Sequence, residues 1–149
     1  SRDRNLNLPY KSGGFRSLCQ CFLRVFLVIV SLIVAMDDNG SIGLADALPW
    51  PHSPEDMKWF RQVTMGKVCI TGWNTAQTLP PLKGREVVVM GRHETPEQII
   101  DKYQDKEEIV VIGGRKTYLK WLPYVTRFHI GRIRGTYPAD THLQELKIW

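Results

Sequence analysis

The sequence predicts an α/β domain, a three-layer fold with a mostly parallel central sheet flanked by helices. Three observations point there. Apolar runs rich in Val and Ile recur at 29–36, 67–71, 86–90, 108–112 and 127–133, the composition of strands buried on both faces. Helix-start signals separate them. Three of the runs end directly in glycine: "CITG" at Gly72, "VVMG" at Gly91 and "VVIGG" at Gly113 and Gly114.

The first run, within "CFLRVFLVIVSLIVAM" at 21–36, is dense enough to suit a buried strand or a short membrane anchor. Arg24 and Ser31 interrupt it, it falls short of the ~20 apolar residues a spanning helix needs, and no small-residue cleavage site follows. These features favour the strand and no stable membrane association. A Gly/Asp/Asn loop, 37–48, leads to a helix from Ser53 to about Thr64, with Ser53 as N-cap and Pro54 at the first position. "KVCIT" is a strand, "WNTAQTL" (73–79) a short helix, and "EVVVM" a third strand after the turn "PPLKGR". "TPEQIIDKY" (95–103) is a helix capped by Thr95, "EIVVI" a fourth strand, "RKTYLKWL" a helix, and "RFHIGRI" a fifth strand.

A chain of 149 residues, 43% apolar and 23% charged, has the size and composition of one soluble domain. Its net charge of +5 is concentrated at one end, since residues 1–28 hold five of the 20 basic and one of the 15 acidic side chains. The remaining body is nearly neutral, which argues against a nucleic-acid partner. Cys19, Cys21 and Cys69 form no CxxC pair, and four scattered histidines show no ligand spacing. No metal site or disulfide framework follows, and a reducing cytoplasm is the expected location.

In an open parallel sheet, ligands bind outside the carboxyl ends of the strands. Glycines there admit close approach, and the helix N-termini after Gly72 and Gly114 point N–H groups at an anion. Thr75 and Asn74 add side-chain donors. The spacing is not GxGxxG, so the expectation is a phosphate-bearing ligand without the dinucleotide fingerprint.

Asp56 carries the other signal. On a helix over 53–64 it shares a face with Phe60 and Val63, at i, i+4 and i+7, beside Met57. A capping role would explain an acid at this third position. A carboxylate on a packing face, however, is costly unless donors pair with it, which makes Asp56 a candidate for ligand binding and acid/base work.

The motifs "IVSLIVAM", "IGLADALPW", "PEDMKWF", "CITGWNT", "LKGR", "VVIGGRKTY" and "ADTH" stand in the order and at nearly the spacings of bacterial-type dihydrofolate reductase, from about Ile29 to His142. The chain resembles that family. The resemblance implies reduction of 7,8-dihydrofolate to tetrahydrofolate with NADPH as cofactor, in a monomer whose partner is its small-molecule substrate. Asp56 matches the acid that binds the pterin and promotes its protonation, with Trp50 and Leu48 beside it in the catalytic region. Ile33, Val34, Met57, Phe60, Leu79 and Leu82 match substrate-lining positions, and Arg85 matches the arginine that forks onto the substrate's glutamate carboxylate. Ala35, Ile42 and Gly43 would face the cofactor from the first strand and the lid. Gly72, Trp73, Asn74 and Thr75, then Met90, Gly91 and Arg92, match positions around its phosphates. Gly113, Gly114, Arg115, Lys116 and Thr117 complete that set, while Ile112 and Tyr118 close the pocket shared by both ligands.

Trp73 stands where many members carry a basic residue near the adenosine 2′-phosphate, leaving Arg92 for that task. Gly131 stands where many have a threonine. Residues 1–28 are expected to be a leader outside the fold, disordered or foreign to it, and 29–149 the reductase-like domain. The chain stops soon after "ADTH", so the fold is expected to lack the family's final β-hairpin. Strand 127–133 would then present an edge open to self-association unless a second subunit or residues 17–28 covered it. Two further readings use fewer of these residues: a reductase-like module that binds nucleotide or folate without turnover, and a pyrimidine reductase of riboflavin biosynthesis, which the acid in "PEDMKWF" argues against.

Overall fold

The computed structural model describes residues 2–8 (backbone course only), 28–45 and 47–149. Strands β1 (Arg2–Leu8), β2 (Ile29–Met36) and β3 (Ser41–Gly43) precede helix α1 (Pro54–Thr64). Then β4 (Val68–Thr71), α2 (Trp73–Thr78), β5 (Glu86–Val89), α3 (Pro96–Lys102), β6 (Glu108–Gly113) and α4 (Arg115–Trp121) alternate. β7 (Arg127–Ile133) and β8 (Thr141–His142) follow, with 3₁₀ turns at Leu122–Tyr124 and Gln144–Leu146. The main sheet has the order β1-β7-β2-β6-β4-β5, and β3 and β8 form a separate antiparallel pair.

The five strands from β7 to β5 run parallel, as their apolar composition anticipated. The outer edge of β7 differs from expectation. β1 lies antiparallel along it, with Asn5 opposite Gly131 and Leu8 opposite Phe128. The edge is therefore covered by a segment that precedes the one considered for that place, and residues 9–27 lie outside the described residues.

Strand alternation splits the interior in two. On β2, Val30, Leu32, Val34 and Met36 face one core with Ile70, Ile109, Val111 and Trp121. Ile33 faces the other with Trp59, Cys69, Val110 and Ile112, against which Ala35, Phe60, Leu79 and Leu82 pack. Each such aliphatic or aromatic side chain contributes roughly 1.5–3 kcal/mol when fully buried. The helix starts are local. Ser53 Oγ accepts the Asp56 N–H at 3.4 Å on α1. On α3, Thr95 and Gln98 close a reciprocal capping box at 3.2 and 3.0 Å.

The amino edge of the sheet holds an ionic cluster around Glu108, only 9% exposed in its side chain. Lys67 Nζ lies 2.9 Å, Arg127 Nη1 3.6 Å and His129 Nε2 3.9 Å from its carboxylate, and the Ser31 hydroxyl donates to it. Among the described residues no helix is long and apolar enough to cross a membrane, and no group of His, Cys, Asp and Glu could hold a metal ion.

Candidate active site at the carboxyl edge

The carboxyl ends of β4 and β6 meet in a glycine cradle. Gly72 N–H donates to Gly113 O at 2.9 Å, and the Thr71 hydroxyl donates to the same oxygen at 3.1 Å. A Cβ on Gly72 would stand 2.5 Å from Thr117 Oγ1, and one on Gly114 would stand 2.8 Å from Thr75 Oγ1. Gly113 has φ +127°, a conformation that side chains rarely adopt. Both glycines serve as N-caps, Gly72 of α2 and Gly114 of α4, so the first N–H groups of two helices and two threonine hydroxyls surround one spot. This donor set, with backbone approach kept open, fits a diphosphate.

Tyr118 fixes the floor between cradle and cleft. Its hydroxyl lies 2.8 Å from Ile33 O and 3.1 Å from Ile112 O, so one proton serves two buried carbonyls. Burial pushes its pKa well above the usual tyrosine range, so it remains a donor. On this face Ile33 and Ile112 of the sheet cluster with Trp59, Cys69 and Val110, and Phe60 of α1, Leu79 and Leu82 pack against them. Asp56 sits one turn before Phe60 and is only 8% exposed, a buried acid at the margin of an apolar wall. At the far end Arg85 is held by two contacts, Nη1 to Thr64 Oγ1 and Nε to Lys83 O, each 3.1 Å.

The residues after β3 are tied to one another and to Asp140. Leu44 and Ala47 exchange backbone hydrogen bonds at 2.8 and 3.0 Å. Asp140 Oδ2 accepts the Ala45 N–H at 2.9 Å, while Asp140 N–H donates to Gly43 O at 3.0 Å. The Ala45 contact, with that of Thr141, holds the Asp140 carboxyl below its ordinary pKa. Trp50 is buried and meets Tyr137 edge-on at 6.2 Å.

A sequence model of the dihydrofolate reductase family matches residues 29–149. The chain belongs to the dihydrofolate reductase family. It is 36% identical over 134 residues to dihydrofolate reductase type 9 of Escherichia coli, covering 76% of this chain and 75% of that protein. Against dihydrofolate reductase of Haemophilus influenzae the identity is 34% over 127 residues, covering 78% and 79%. Among solved structures, dihydrofolate reductase from Enterococcus faecalis complexed with NADP(H) and RAB-propyl superposes with a TM-score of 0.67 at 26% identity, over 76% of each chain. The family is that of an NADP-dependent oxidoreductase, and the mostly parallel sheet flanked by helices is its fold.

Of the reductase positions inferred from the motifs, Ile33, Ile112, Phe60, Leu79 and Leu82 share one apolar cluster, Asp56 is buried one turn before Phe60, and Gly72, Thr75, Gly113, Gly114 and Thr117 lie together at the ends of β4 and β6. Met57, Leu48 and Trp73 are 48%, 59% and 67% exposed, standing at the rim rather than in the wall. Arg92, Asn74 and Lys116 are exposed. Four residues point elsewhere. Met90, whose Sδ accepts from Trp121 Nε1 at 3.3 Å, and Ile42 lie with the core on the far face of the sheet. Val34 turns into the opposite core, because strand alternation puts it on the face away from Ile33. The Arg115 guanidinium turns to the His142 carbonyl and Glu145. Asp140 and Glu145 received no role in the sequence reading; "ADTH" marked the place but not the loop that Asp140 holds.

Proposed function

We propose that the chain reduces 7,8-dihydrofolate to 5,6,7,8-tetrahydrofolate with NADPH. The observation that supports this reading is a buried acid, Asp56, one turn before Phe60 of the Ile33–Ile112 apolar cluster, on a sheet whose carboxyl edge carries a glycine and threonine cradle suited to phosphate. NADPH, when bound, supplies the hydride.

The chain's own residues bind, orient and exclude water. The Asp56 carboxylate accepts two hydrogen bonds from the 2-amino group and adjacent ring nitrogen of the pterin, a charge-assisted pair that sets the ring's orientation. Its negative charge favours protonation of the pterin at N5. Ile33, Phe60 and Ile112 hold the ring by apolar contact, and Met57 closes on it from the rim. Arg85, whose Nε and Nη1 are anchored to Lys83 and Thr64, offers its remaining donors to the α-carboxylate of the glutamate. Thr75, Thr117 and the first N–H groups of α2 and α4 take the diphosphate, with Arg92 and Lys116 near its outer end. The loop over Leu44–Ala47 and Trp50 screens the reacting rings from water. Reaction rate then derives chiefly from orientation of two bound reactants.

The experiment is dihydrofolate-dependent oxidation of NADPH by the purified chain, with NADH in parallel. Turnover that requires dihydrofolate and prefers NADPH supports the reading. NADPH binding without turnover would leave only the reductase-like binding module.

A further inference from the structure

Strand order fixes which part of a bound dinucleotide lies where. β2 and β6 carry the Ile33–Ile112 apolar cluster, β6 and β4 the glycine cradle, and β5 stands next on the same carboxyl edge. Thr71 pairs with Val89, and Met90 N–H donates to Thr71 O at 2.8 Å, so the chain leaves β5 at Gly91 alongside Gly72. A dinucleotide with its nicotinamide at the cluster and its diphosphate at the cradle therefore extends its adenosine half over β5. The turn there is built around an acid. Gly91 N–H donates to Glu94 Oε1 at 2.5 Å, and Glu94 N–H donates back to Gly91 O at 3.2 Å. Met90 anchors the turn in the core, and Lys120 Nζ of α4 donates to Glu94 O at 3.0 Å.

We propose that Glu94 is a specificity-determining residue that narrows this chain's preference for NADPH over NADH. The proposal rests on the reading of the carboxyl edge as the NADPH site. The two cofactors differ by one phosphate on the adenosine 2′-oxygen. At dinucleotide sites an arginine suits that phosphate, and a carboxylate suits the hydroxyl that replaces it. This turn presents both, Arg92 and Glu94, two residues apart and both exposed. The Glu94 carboxylate already holds the Gly91 N–H, a donor that a phosphate oxygen would otherwise take. Its negative charge also opposes the approach of a second anion. Two neighbouring positions do not offset it. Trp73, first in α2 beside Gly72, is uncharged and 67% exposed, and the Arg115 guanidinium is committed to Glu145 at 3.0 and 2.8 Å.

The test is affinity for NADPH and for NADH, followed by ligand fluorescence, in the full chain and in Glu94→Gln and Glu94→Ala. Glu94→Gln keeps an oxygen for the Gly91 N–H and removes only the charge, whereas Glu94→Ala also frees the N–H. NADPH binding is expected to tighten about three- to tenfold in Glu94→Gln, the effect of one like charge beside a phosphate, and at least as far in Glu94→Ala. NADH binding does not tighten in either, because a 2′-hydroxyl gains nothing from the loss of a carboxylate. The gain in Glu94→Gln shrinks as salt rises from about 0.01 M to about 1 M, as an effect of charge must. A turn with a purely structural role would weaken both cofactors alike, and that result, or an NADPH-to-NADH ratio unchanged in both variants, overturns the proposal. An unsubstituted chain that bound neither cofactor would remove the reading of the site and this proposal with it, whereas binding of both with an unchanged ratio would remove this proposal alone.

Discussion

The Tyr118 hydroxyl stands 2.8 Å from the carbonyl oxygen of Ile33, tying the helix after the glycine cradle to the strand that floors the cleft. It also reaches Ile112 O at 3.1 Å, so two buried carbonyls on neighbouring strands depend on one side chain. Tyr118→Phe keeps the ring and removes the donor. The expected loss is about 1–3 kcal/mol of folding stability by urea titration, the cost of leaving buried acceptors unsatisfied. A variant as stable as the original would contradict the assignment.

The cradle makes a steric prediction. A Cβ at position 114 would lie 2.8 Å from Thr75 Oγ1, so Gly114→Ala must displace that hydroxyl or the turn itself. NADPH affinity, followed by ligand fluorescence, is expected to fall roughly tenfold or more, the equivalent of a 1–3 kcal/mol packing strain placed at the phosphate site. Unchanged affinity would show that the diphosphate lies elsewhere.

The ionic cluster at the amino edge predicts an acid dependence of stability. Burial alone would raise the Glu108 carboxyl, but His129, Ser31 and Lys67 outweigh it and bring the group from 4.5 to about 2. A carboxyl lowered in the folded state stabilises fully above its unfolded value. That contribution, of order 3 kcal/mol, is lost as pH falls from 4.5 toward 2. Glu108→Gln should be less stable than the original chain at neutral pH by about that amount, with the gap closing by the acid end of a pH series of urea midpoints. A gap that stays constant with pH would contradict the account.

Strand β1 predicts a change in association. Removing residues 1–8 uncovers the outer edge of β7, which carries unpaired N–H and C=O groups ready to template another strand. Light scattering should then record self-association that rises with concentration and exceeds that of the full chain. Equal masses at all concentrations would show that the edge needs no cover.

Signals local to a few residues were legible in the sequence. The runs at 29–36 and 108–112 are largely apolar on both alternating faces, as in a covered parallel strand, and they form β2 and β6. Asp56 could be singled out because Phe60 and Val63 follow it at helical spacing, and it is indeed buried on α1. Contacts made across the chain left no local trace. Arg115 and Glu145 are 30 residues apart, and Ala45 and Asp140 are 95 apart, and nothing in the flanking residues marks either as a pair. The two-residue strand β8 and its partner β3 are too short for periodicity to register. Val34 was grouped with Ile33 by motif, whereas the period of two sends adjacent strand residues to opposite faces.

Asp56 is the centre of the account, and dihydrofolate-dependent consumption of NADPH tests it most directly. The purified chain and Asp56→Asn would be compared from acid to neutral pH, with folding and NADPH binding checked on both. The account predicts turnover by the original chain. In Asp56→Asn it predicts a loss of about a hundredfold or more at neutral pH, the scale of a lost acid/base contribution, with NADPH still bound. A variant that turns over at the original rate would contradict the role assigned to Asp56.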